Sequence, residues 1–76
     1  MLDARIVGEV IQDLRESKKL SQEVVSGLAD IGRTHLSAIE RGMRKPTLET
    51  LFKIAEAMNM PPSEIVRKIE EKINEV

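Results

Sequence analysis

The chain has no cysteine and a single histidine among its 76 residues. Disulfide staples and thiolate metal sites are therefore excluded, and a structural zinc would lack donors. A cysteine-free composition suits a reducing cytoplasm, where a soluble protein is expected. No apolar run approaches the roughly 18 residues of a membrane span, and no basic stretch followed by an apolar one opens the chain. No segment alternates polar and apolar residues with period two, so strands are not expected. Catalytic patterns are missing too: no nucleophile–base pairing, phosphate-cradling glycine loop or metal-ligand cluster stands out. The expectation is one non-enzymatic, cofactor-free, all-helical domain over residues 1–76, near the lower size limit for unaided folding.

What is present is organised around Ser21 to Gly42, SQEVVSGLADIGRTHLSAIERG. Ser21 can cap a first short helix, with Glu23 in the opening turn where the helix dipole favours an acid. Val24, Val25 and Leu28 supply its apolar stripe. Asp30-Ile31-Gly32 makes a turn, and a second short helix starts about Arg33. In it Leu36 and Ile39 face inward, leaving Arg33, Thr34, His35, Ser37 and Ala38 outward or at the margins. Gly42 ends this helix as a left-handed cap. Two helices this short cannot bury their stripes alone, so flanking segments must complete the core.

Those segments also read as helices. Asp3 to Lys18 carries Ile6, Val7, Val10, Ile11 and Leu14 at amphipathic spacing, with Gly8 weakening the helix by about 1 kcal/mol. Leu20 can staple the chain before the Ser21 cap. Thr47 caps a fourth helix with Leu48, Leu51, Phe52, Ile54, Ala55 and Met58 inward, and Asn59 with Pro61-Pro62 stops it. A fifth helix, about 62–75, has Ile65, Val66, Ile69 and Ile73 apolar. Only its first half is expected to find cover within the chain. Ile69, Ile73 and Val76, at near-heptad spacing, are then free either to pack on a second copy or to stay solvated.

The net charge of −1 hides an uneven distribution. Arg33, Arg41, Arg44 and Lys45 stand against one acid, Glu40, while Asp3, Glu9, Asp13 and Glu16 sit in the first helix and Glu64, Glu70, Glu71 and Glu75 in the last. Such a basic strip suits a polyanion, although a solvated charge mixture would look the same.

SQE at 21–23, LSAIERG at 36–42 and RKPTLETLFKIAEAM at 44–58, with Arg15 upstream, resemble the Cro/C1-type (XRE) helix-turn-helix family. The resemblance covers about residues 5 to 60. The short chain with a helix after the core is also similar to restriction–modification controller proteins, a subset of that family. It implies a compact five-helix bundle of the lambda-repressor-like type, with the recognition helix at 33–41 in the major groove of double-stranded DNA. It further implies that Gln22 clamps a phosphate, that Arg33, Thr34, His35, Ser37 and Ala38 face bases, and that Arg41, Arg44 and Lys45 touch phosphates. Arg15 and Glu40 would form a structural ion pair. Gly32 departs from the family's usual serine or threonine cap, Ser26 from its alanine and Asp30 from its turn glycine.

The expected function is therefore a homodimeric, sequence-specific transcriptional regulator on a near-palindromic operator. It would act by blocking RNA polymerase or touching it from an adjacent site. A DNA-binding antitoxin gripping a toxin with its last helix, or a protein-binding helical module, are the alternatives.

Overall fold

Five helices make up the regular structure of residues 2–75, the part described by the computed structural model, and no strand occurs among them. They are α1 (Ala4–Ser17), α2 (Gln22–Ala29), α3 (Arg33–Glu40), α4 (Leu48–Ala57) and α5 (Pro62–Asn74). Side-chain caps set three of the starts. Asp3 accepts from the Arg5 N–H at 2.8 Å, Ser21 from Val24 at 3.1 Å and Thr47 from Thr50 at 3.1 Å. Pro62 opens α5, where its missing N–H costs nothing. Gly32 opens α3 with no side chain to offer.

The first four helices end alike. Lys19, Asp30, Gly42 and Asn59 take left-handed φ values of 58°, 56°, 77° and 56°. Each donates its N–H three residues back, to Glu16, Gly27, Ile39 and Glu56, and the next residue donates five back, to Arg15, Ser26, Ala38 and Ala55. This paired closure satisfies carbonyls that a helix end leaves open. The residue after each left-handed position is apolar: Leu20, Ile31, Met43 and Met60. Leu20, Ile31 and Met60 pack into or against the core, whereas Met43 is 68% exposed.

Val7, Val10 and Ile11 of α1 meet Val25, Leu36, Ile39, Ile54 and Ile65 from the other four helices in one apolar core. Two stripes lie differently from their sequence expectation. In α2 the buried positions are Val25, Ser26 and Ala29, while Val24 and Leu28 face solvent. The helix is turned by roughly 100° because small side chains let it approach α3 and α4 closely. Ser26 is tolerated there because its hydroxyl donates to the Glu23 carbonyl at 3.2 Å. In α4, Leu51, Ile54, Ala55 and Met58 are buried, but Leu48 and Phe52 are exposed.

Gly8 has a packing role that its helix propensity conceals. A Cβ there would lie 2.6 Å from the Glu40 carbonyl oxygen and overlap that of Ile39. The glycine thus lets α1 cross directly over the end of α3. Gly8→Ala should lose about 2 kcal/mol despite gaining helix propensity, lowering Tm by roughly 8–16 °C. A thermal melt that rises instead would show that the two helices are not pressed together.

Candidate nucleic-acid interface

The carboxylate of Glu40, the last residue of α3, points inward and is closed off on three sides. Arg15 of α1 donates from Nε to Oε2 at 2.7 Å and from Nη2 to Oε1 at 2.9 Å, a two-pronged pair between buried side chains. Arg15 also donates from Nη1 to the Leu20 carbonyl at 2.8 Å. Its pKa is raised from the usual arginine value, chiefly by the hydrogen bond to Glu40, with burial pulling the other way. The one acid between Arg33 and Pro46 is thereby neutralised from within.

What remains outside on this side of the molecule is cationic. Arg33 and Thr34 are exposed on α3; His35, Ser37 and Ala38 are half-buried on the same helix. Arg41 and Arg44 are exposed after it, the former donating weakly from Nε to the Ser37 carbonyl at 3.4 Å. Lys45 donates to the Leu2 carbonyl at 3.3 Å, tying the loop to the N-terminal segment. None of these four cations pairs with an acid among the described residues. Gly32 leaves the first-turn N–H groups of α3 without a side-chain cap, so they stay open to an acceptor.

Gln22 sits differently from a freely extended phosphate clamp. Its amide nitrogen donates to Glu40 Oε1 at 2.9 Å, so the side chain is held against the buried pair. An amide nitrogen has a second hydrogen, which this bond leaves over. Gln22 therefore stands between the structural pair and the outer surface.

The apolar trio at the C-terminus is split by the structure. Ile69 is 8% exposed and belongs to the core, so it is not available to a second copy. Ile73 is exposed, and Val76 lies outside the described residues. The physical reason is rotation along α5: Ile65 and Ile69 lie on one edge of the stripe, Val66 and Ile73 on the other. Val66 joins Leu48 and Phe52 in an exposed apolar band across α4 and α5. Two shallow grooves of about 460 and 500 Å³ share Leu48, Leu51 and Val66 as walls. Of these, Leu48 and Phe52 are expected inward from their spacing, and the structure leaves both exposed. The signal was there, since the apolar arc of α4 is roughly 160° wide and a core face needs only about 100°.

Lys72 clamps α5 to α1, reaching Glu9 at 3.2 Å and Asp13 at 3.9 Å. Its pKa is raised above the ordinary lysine value, first by the hydrogen bond to Glu9. No helix among the described residues is long and apolar enough to cross a membrane.

Two short helices joined by a tight turn, the second with an outward polar face, define a helix-turn-helix protein. The helix-turn-helix family model matches residues 11–65, and the chain belongs to that family, in its Cro/C1 (XRE) branch of DNA-binding regulators. It is 36% identical over 67 residues to the uncharacterized HTH-type transcriptional regulator y4dJ of Sinorhizobium fredii, covering 88% of this chain and 87% of that one. It is 34% identical over 62 residues to control protein C.BamHI of Bacillus amyloliquefaciens, covering 80% and 76%. The crystal structure of the restriction–modification controller protein C.AhdI from Aeromonas hydrophila superposes with a TM-score of 0.80 at 32% identity, over 86% of this chain and 98% of that one.

Proposed function

We propose that this chain is a sequence-specific transcriptional regulator that binds a near-palindromic operator as a homodimer, with α3 in the major groove. The observation that carries this reading is the outer side of residues 33–45. It is open, bears four cations that pair with no acid among the described residues, and has its only acid turned inward onto Arg15. Arg33, at the N-terminal end of α3, can fork onto guanine O6 and N7, and Thr34, His35, Ser37 and Ala38 line the same helix. Arg41, Arg44 and Lys45 track the phosphates, and the spare hydrogen of Gln22 serves another. The protein acts in the cytoplasm, without catalysis, by occupying DNA that polymerase needs or by touching polymerase beside it.

The second copy is proposed to seat on the band formed by Leu48, Phe52, Val66 and Ile73. Ridge residues and hollows lie on the same face there, as a two-fold interface requires. Two subunits would then read half-sites about 34–36 Å apart.

Selection of bound duplexes from a random pool tests the whole reading, and a palindromic consensus is the expected result. On that operator Arg33→Ala should weaken binding about 5- to 150-fold and relax preference at one base pair. Arg44→Ala should weaken all sequences alike and lower the salt slope by about 1. An isotherm unchanged between about 50 and 200 mM salt would sink the proposal.

A further inference from the structure

Three of the four matching helix ends use the apolar residue after the left-handed position to seal the core. The fourth does not. Met43 closes α3 with the same pair of backbone bonds, its N–H meeting the Ala38 carbonyl at 2.9 Å, yet its side chain stands in solvent. In sequence it is flanked by Arg41 and Arg44, both exposed and pairing with no acid among the described residues, so it belongs to the cationic stretch 41–45. The other methionines described are inaccessible: Met58 is 1% exposed and Met60 8%, both within the core. An oxidant arriving from solvent thus meets the sulfur of Met43 long before either of those.

We propose that Met43 is a site of reversible oxidation through which a hydroperoxide weakens the chain's hold on DNA. The proposal rests on the DNA-binding reading above. In the step itself the thioether sulfur attacks a peroxide oxygen and the O–O bond breaks. A sulfur–oxygen bond forms, the sulfur gives up two electrons, and hydrogen peroxide leaves as water. The product is a polar sulfoxide whose oxygen accepts hydrogen bonds. Beside a phosphate rail this oxygen finds no donor on the DNA backbone. It must either lose its water uncompensated or draw Arg41 or Arg44 away from the phosphates. Both outcomes act in one direction. The backbone bond that ends α3 does not involve sulfur, so the fold should survive the modification.

The test treats the full chain with hydrogen peroxide until the peptide carrying Met43 has gained one oxygen by mass spectrometry. Affinity for the selected operator is then read by fluorescence anisotropy. Wild type should bind about five- to tenfold more weakly after treatment, with an unchanged Tm. Met43→Leu, which keeps every other methionine, should hold its affinity through the same treatment. Methionine sulfoxide reductase should restore the affinity of the treated wild type. Full affinity in wild type oxidised at Met43, or an equal loss in Met43→Leu, overturns the switch. Should the untreated chain bind no duplex at all, the DNA-binding reading fails first and the switch with it.

Discussion

Glu40→Ala is expected to destabilise the chain by about 3–5 kcal/mol, a large share of the roughly 4–11 kcal/mol that holds together a chain of this length. The substitution strands the Arg15 guanidinium in a buried position. It then keeps only the Leu20 carbonyl at 2.8 Å and a distant contact to Glu16 at 3.9 Å. Arginine cannot shed its proton to escape this, so the full desolvation cost remains. Arg15→Ala should also be damaging, but less so, because the carboxylate left behind keeps the Gln22 amide as a donor. Replacing both partners with apolar residues of similar volume should recover most of the loss, because no unpaired charge is left behind. Urea titration of the two single variants and the double one decides the matter. If both single substitutions leave the midpoint where it was, the pair carries no structural weight.

A second large effect is expected on assembly rather than folding. Leu48→Asp and Phe52→Asp place charge where the side chains are 69% and 54% exposed, so each subunit should fold with little change in Tm. The proposed two-fold interface would instead bury those carboxylates unpaired. Sedimentation should then report a monomer, and operator affinity should fall at least about 100-fold, since a half-site held alone loses the local concentration its twin supplies. Ile69→Asp serves as the contrast, because Ile69 is core and its variant should unfold. If Leu48→Asp stays dimeric and binds normally, the band across α4 and α5 is not the contact.

Helix number, the caps at Ser21 and Thr47, the left-handed end at Gly42 and the stop at Asn59 were legible because each depends on neighbours within about five residues. The resemblance added the Arg15–Glu40 pair, whose members are 25 positions apart and beyond the reach of any local pattern. What escaped was rotation of a helix about its own axis. Val24 and Leu28 looked like a core stripe, and only packing against α3 and α4 shows that Ser26 and Ala29 take that place. The same ambiguity hid the band of Leu48, Phe52 and Val66, because apolar character does not say which body provides the cover. Gly8 reads from sequence as a weak spot in a helix. Its use appears only once the carbonyls of Ile39 and Glu40 are seen beneath it.

The bond from Gln22 to Glu40 also divides the surface into parts that can and cannot vary independently. Arg33 and Thr34 stand clear of the interior, so on the proposed reading drift there would retune target preference at little expense to folding. Gln22 has no such freedom, since it leans on the carboxylate that fastens α1 to α3. If Gln22 and α3 meet DNA as proposed, descendants of this chain would acquire new operators readily while keeping one fixed way of gripping the phosphodiester backbone.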